Sequence, residues 1–575
     1  MISNLTPATI FYRFTVLAVM ACVLGVIVSL AAIAFVEAVD WLNNVLLISP
    51  RTRVQVQDPL LLTAATILVP TLGGVVVGWL LQYCSKTKRP LGPPDSIKAV
   101  QLRCDLPDSR SGLVSTMAAA ISLGCGASVG QYGPMVYLGS LCGGWVAKLN
   151  LQIPNLQSIA IASGVAAAIS TAFNAPIAGL IFAHEVILRH YSLQAFAPTT
   201  VAAATGYVVA NVIFERPALF LVEFPGVENG YEFGLFAVLG VACAALATVF
   251  MRLTLSMFKV GQRLPLRPMY RPALAGLLVG LVALGLPDVL GMGNEVLRFA
   301  TIEGAFTNSE LALLVFSKIV LTAVCVGFGF AGGVFSPVIL IGILFGALFW
   351  SLLELIGVPN SGLAVYAICG MMALASPVIG APLTTILIVF ELTQNYHLTV
   401  AAMVAVVFAN LLAFRLFGRS IFDVQLAGKG INLASGRDRA MLDDCKVIDR
   451  PTGNYVAYNI SLTVAEVIQA LVKKGHSEAA IIDDDGKYRG MLRIQDVIGQ
   501  ADSASLESLL FKDWPQFDET TTIWEAMKQV EGFVGEAVPV VCANGQLVGM
   551  ITEANLIVAY LEIVHELRKE ENAAV

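Results

Sequence analysis

Charged side chains are scarce in this sequence. Asp, Glu, Lys and Arg make up 13% of 575 residues, too few to solvate the surface of a soluble protein of that length. The net charge of −6 and a pI of about 5.5 leave no basic face for nucleic acid. Only five histidines occur, and the ten cysteines, among them Cys22, Cys125, Cys243 and Cys369, contain no Cys-x-x-Cys pair. Metal and redox centres are therefore not expected, and the cysteines read as small buried apolar residues. Nor do Ser, His and Asp residues form a nucleophilic arrangement, which argues against an enzyme.

Apolar sequence fills the space instead: 57% of residues are hydrophobic and the mean hydropathy is +0.77. Runs of spanning or near-spanning length occur at about 15–39, 59–82, 234–257, 311–329, 337–357 and 398–417. The first is too long, and followed by too many others, to be a cleaved signal peptide. Shorter apolar stretches broken by Gly and Pro, around 112–148, 157–189 and 362–392, read as half-helices and re-entrant pieces, which are permissible only where protein or an aqueous cavity satisfies the backbone.

Two of these regions share one skeleton. Gly130, Gly133 and Pro134 are followed by glycines five and nine residues beyond the Pro, at Gly139 and Gly143. Gly333 and Pro337 are followed at the same offsets by Gly342 and Gly346. Gly164, Pro176 and Glu185 then match Gly370, Pro382 and Glu391 interval for interval. A duplicated unit with helices interrupted at corresponding points is the mark of a transport protein whose site lies at the repeat interface. The repeats cover approximately 112–215 and 311–417.

The first turn of a helix offers unpaired N–H groups and about half a positive charge, so two broken helices aimed at one point make a moderate anion site. A full charge would hold the ion too tightly to pass. Gly333 permits close backbone approach, and the amides of Val334 and Phe335 are candidate donors because Pro337 lies in the opening turn of the following helix. Gly130 and Gly133 would act likewise from the first repeat. Gly139 and Gly143 read as packing residues.

From about residue 418 to Val575 no run could span a bilayer, and charges become frequent, as in Asp483-Asp484-Asp485. Two similar units follow, approximately 445–500 and 510–563. Each has a capped amphipathic helix (from Thr463 and Thr522), a short apolar strand, a turn (Asp485-Gly486, Asn544-Gly545), a second strand and another helix. That order resembles a pair of CBS domains, and the resemblance implies an adenine nucleotide between the units. The nucleotide signature is incomplete: Thr552 is followed by Asn555 rather than Asp, and Arg493 stands where the first unit should have a hydroxyl before Asp496. A pair that only stabilises a dimer is the competing reading.

The motifs Gly130-x-x-Gly133-Pro134, Phe173-Asn174-Ala175-Pro176-Ile177-Ala178-Gly179 and Gly333-Val334-Phe335-Ser336-Pro337, in this order, resemble the CLC family of chloride channels and proton-coupled chloride exchangers. The resemblance implies a polytopic all-α membrane protein with two inverted-topology repeats and broken, re-entrant helices over residues 1–425, followed by a C-terminal α/β CBS-pair domain at 426–575. It also implies a homodimer in the lipid bilayer, one anion pathway in each subunit and a cytoplasmic CBS pair. A multi-pass protein of the plasma (inner) membrane is expected.

Four positions depart from the family pattern. Typical members read Gly-Arg-Glu-Gly-Pro in the first repeat, and that Glu occupies an anion position and carries the proton; here its place is taken by Tyr132. A phenol titrates near pH 10, at about 10, and cannot shuttle protons at neutral pH. The internal proton-handling Glu corresponds to Val186, beside Glu185, which reads as structural. The pore Tyr corresponds to Phe422, and the anion-coordinating Ser to Leu91 in Pro90-Leu91-Gly92-Pro93-Pro94. These changes predict passive chloride movement, without a cofactor, through a pore gated by Tyr132. A proton-coupled exchanger working through Glu185 or His184 and a nucleotide-sensing membrane protein with little or no transport are the alternatives, the latter with Tyr132 as an aromatic plug.

Overall fold

The structure is a computed structural model that describes residues 7–149, 153–215, 226–450, 456–498, 505–511 and 513–571. It divides into two compact units, the first ending at Gly428 and the second running from Lys429 to Asn572.

The first unit is helical. Among the described residues, eight helical segments are long and apolar enough to cross a membrane, and the shorter apolar helices include Pro176–Leu188, Leu363–Ile379 and Pro382–Thr393. Sequence signals set several starts: Asp58 accepts from the amides of Leu60 and Leu61 before helix Pro59–Trp79, and Thr307 and Glu310 form a capping box before helix Asn308–Gly327.

The repeats are two sets of three consecutive helices. The first is Tyr132–Ala147, Leu156–Phe173 and Pro176–Phe182, the last continuing as a π turn over Ala183–Leu188. The second is Phe335–Ile356, Leu363–Ile379 and Pro382–Thr393. Glycine explains how the first two helices of each set pack. A Cβ on Gly139 would lie 2.4 Å from the carbonyl oxygen of Gly164, and one on Gly342 would lie 2.7 Å from that of Gly370. The repeated glycines thus meet each other, allowing backbone contact that any side chain would prevent. The second helices end alike, at Asn174 (φ 57°) and Gly380 (φ 77°), left-handed residues followed two positions later by the prolines that open the third helices.

The second unit contains three-stranded and two-stranded sheets. Strand β1 (Ala457–Asn459) pairs parallel with β2 (Glu478–Ile482), which pairs antiparallel with β3 (Tyr488–Arg493). Strands β4 (Val538–Val541) and β5 (Leu547–Ile551) are antiparallel. Helices Val464–Lys474 and Ile523–Gln529 start in the capping boxes Thr463/Glu466 and Thr522/Glu525. The two hairpin turns face each other: Tyr488 N donates to Gly545 O at 2.9 Å, and Leu547 N to Gly486 O at 3.2 Å. Strand β1 has no counterpart in the sequence reading, since three residues carry too little alternation to stand out.

Candidate functional site: the junction of the two repeats

The loops that open the two repeats are joined. Gly130 N donates to Gly333 O and Gly333 N to Gly130 O, both at 2.7 Å, an antiparallel bridge suited to repeats of opposite orientation. Those amides are therefore engaged with one another, so Gly130 and Gly333 frame the site rather than donate to it. A Cβ on Gly133 would stand 2.9 Å from Gly333 Cα, and Gln131 N donates to Ser336 Oγ at 3.1 Å. The starts of helices Tyr132–Ala147 and Phe335–Ile356 are thus held together. Val334 and Phe335 are both buried there, and the first-turn amides of the second helix begin with Phe335.

Leu91 comes to the same place. A Cβ on Gly133 would lie 3.7 Å from Pro93 Cδ, so helix Pro93–Gln101 begins beside the bridge. Leu91 is buried and its N–H donates to Ser115 Oγ at 2.8 Å. Arg89 forks onto Asp95 at 2.7 and 3.1 Å, and Asp95 accepts from Gly92 N, fixing the turn around Leu91. Phe422, also buried, lies in helix Ile421–Ala427, which packs against helix Pro93–Gln101.

Tyr132 is 6% exposed. Its ring stacks on Phe173 with centroids 4.1 Å apart and meets Phe335 edge-on at 5.3 Å, while Phe173 and Phe335 are 5.4 Å apart. Phe182 adds a fourth ring, 6.5 Å from Phe335. A group of rings from four helices therefore gathers at the position where the family pattern has a carboxylate. Phe173 was visible only as part of a loop motif, because nothing in its spacing announces a ring contact with Tyr132.

Both glutamates of the repeat skeleton cap the opposite repeat. Glu185 accepts from Leu383 N at 3.0 Å and from Thr384 N and Oγ1 at 2.9 and 2.7 Å. Glu391 accepts from Ile177 N at 2.8 Å and Ala178 N at 2.7 Å. Each carboxylate thus sits on the positive end of a helix in the other half. His184 is fully buried, with Nδ1 3.0 Å from His190 O and Nε2 3.1 Å from Thr199 Oγ1, so both ring nitrogens have partners. Val186 is buried on a cavity of about 380 Å³ bordered also by Arg189, Ser420 and Asp423. Lys318, a buried lysine the sequence reading passed over, donates to the carbonyls of Val289 and Gly291 at 2.9 Å each.

In the second unit the candidate nucleotide residues bond locally. Thr552 N donates to Asn555 Oδ1 at 2.9 Å and Asn555 N to Thr552 Oγ1 at 3.2 Å, capping helix Glu553–Glu571. Asp496 accepts from Arg493 Nε at 2.7 Å, and that guanidinium lies 4.3 Å from the Phe511 ring centre.

Duplicated helices broken at Gly and Pro, with helix starts from both halves converging on one buried point, define a membrane transport protein of the broken-helix class. The family profile described as "Voltage gated chloride channel" matches residues 73–413, and the CBS domain profile matches 447–502 and 507–562. The chain belongs to this CLC family and carries a CBS pair after its membrane region. It is 29% identical over 369 residues to "Putative chloride channel protein ClcB-like" of Ralstonia nicotianae, covering 63% of this chain and 86% of the relative. Among solved structures, a slow cyanobacterial Cl−/H+ antiporter is similar with a TM-score of 0.65 and 25% identity, over 74% of this chain and 99% of that one. A eukaryotic CLC transporter has the same fold at 18% identity, with a TM-score of 0.63 over 95% of this chain and 98% of that one.

Proposed function

We propose that this chain is a passive anion channel or uniporter for chloride, without proton coupling, in which Tyr132 is the gate. The observation that carries the reading is the replacement of a titratable carboxylate by Tyr132, packed between Phe173 and Phe335. A stacked phenol neither competes with the anion as a fixed charge nor exchanges protons near neutral pH. Val186 leaves the internal proton position apolar, and Glu185 and His184 are engaged in structural hydrogen bonds. Chloride would meet amide dipoles at the starts of the Tyr132 and Phe335 helices, with Leu91 and Phe422 as apolar wall. The protein would act as a homodimer in the plasma membrane with its CBS pair in the cytoplasm. An adenine nucleotide would be taken up on the Thr552 side, which keeps the hydroxyl that Arg493 replaces in the first unit.

Coupled exchange is the second reading, and the likeness to a solved Cl−/H+ antiporter favours it. Chloride efflux from liposomes, with external pH followed in the same sample, separates the readings. Chloride release without proton uptake is expected; proton movement driven by the chloride gradient would establish exchange. No flux of either ion would favour a sensing protein with a closed pore.

A further inference from the structure

The ion pair between Arg189 and Asp423 has no part in the conduction scheme above, yet its placement is demanding. Arg189 ends the π turn Ala183–Leu188 in the left-handed region, at φ 59°, a conformation that costs a residue with a Cβ and favours Gly. The π turn supplies one extra residue here: Arg189 follows Glu185 by four positions, whereas in the second repeat the left-handed Gln394 follows Glu391 by three. That shift sends the guanidinium into the cavity beside Val186, where Nη2 lies 2.7 Å from Asp423 Oδ1. The two side chains are 23% and 17% exposed, so water screens the pair only partly. The other carboxylate on the cavity, Glu185, is already held by the amides of Leu383 and Thr384. Asp423 is in turn fixed by Ser420, whose Oγ donates to Oδ2 at 2.9 Å and accepts from Asp423 N at 3.3 Å.

Asp423 directly follows Phe422. We infer that Arg189 and Asp423 form a latch across the cavity that positions Phe422, tying the end of the first repeat to the last helix of the membrane unit. Arg189 and Asp423 are positioning residues: they set where the Phe422 ring stands and thereby the relative passage of anions of different size. The effect on passage rests on Phe422 lining the pathway, as proposed above; the latch itself does not.

The test uses the full-length protein and two readouts, hydrogen–deuterium exchange over Ile421–Gln425 and the nitrate-to-chloride flux ratio in liposomes. Arg189→Gln and Asp423→Asn should each speed exchange in that segment by about tenfold. The charge swap Arg189→Asp with Asp423→Arg should recover part of the protection. The flux ratio should shift in the single variants, and the shift should not add to that of Phe422→Leu. Unchanged exchange in both single variants overturns the latch. Faster exchange with an unmoved flux ratio, or a ratio shift that adds fully to that of Phe422→Leu, overturns the positioning role. Absence of flux in the unmodified protein would sink the channel reading, while the exchange data would still decide whether the latch exists.

Discussion

At position 132 the ring and the hydroxyl make separable contributions. The ring stacks on Phe173 and abuts Phe335, and on the proposed reading its bulk is the plug in the anion pathway. Tyr132→Ala should therefore raise chloride efflux, by about tenfold if removal of the plug lowers the barrier by roughly 1.4 kcal/mol. Tyr132→Phe keeps the ring and should leave efflux within about twofold of the unmodified protein. A larger change in the Phe variant would give the gating role to the hydroxyl. Tyr132 could be singled out from sequence because it interrupts a motif at a fixed offset. Its partners could not, since Phe173 and Phe182 approach Phe335 only once three helices are folded, and a lone aromatic in an apolar run has no distinctive spacing.

Among elements, the exchange of caps between the repeats is the contact most open to test. Glu391 accepts two backbone hydrogen bonds at the start of helix Pro176–Phe182, and Glu185 does the same for helix Pro382–Thr393. Hydrogen bonds to a charged acceptor contribute about 2 kcal/mol each when they are lost without replacement. Glu391→Gln retains one acceptor oxygen and should lower stability by about 2 kcal/mol, measured as the unfolding midpoint in detergent, with anion selectivity unchanged. Sequence intervals revealed that Glu185 and Glu391 are equivalent; they did not reveal that each serves the other half, because equal spacing reports likeness and not partnership. A smaller device in the second unit adds a pH dependence. Asp518 accepts from the amides and hydroxyls of Thr520 and Thr521, which hold its carboxyl below the usual carboxylate range. Its folded value being depressed, the stabilisation is present above the unfolded value of about 3.9 and disappears as pH falls through the folded one. Asp518→Asn should thus speed amide exchange at Thr520 and Thr521 at pH 7, and the difference from the unmodified protein should shrink below about pH 3. Equal exchange at pH 7 would remove the carboxylate from any role in that turn.

For the molecule as a whole, the proposed channel reading assigns the loss of coupling to two positions in different helical segments, Tyr132 and Val186. Restoring Glu at both should give measurable proton movement with chloride, read as external alkalinisation or acidification against the chloride gradient. Either single restoration should not. If the double variant stays uncoupled, the altered surroundings at Leu91 and Phe422 also contribute to uncoupling. The large-scale architecture was legible because lipid and duplication both leave long-range patterns in sequence, and the apolar runs coincide with helices such as Pro59–Trp79 and Phe335–Ile356. What stayed hidden was made by tertiary contact, as in the Gly130–Gly333 bridge, or was too short to leave a pattern, as in the three-residue β1 strand. The exchanged caps also bear on biosynthesis. The amides of Ile177 and Ala178 are completed by a carboxylate 214 and 213 residues later in the chain. At synthesis rates of about 5–20 residues per second, the first half stays unfinished for roughly 10–40 s after it leaves the ribosome. During that interval, an insertion machinery or a water-filled site must shelter the uncapped helix start from lipid, and a chain truncated before Glu391 would give the quality-control system a defined flaw to recognise.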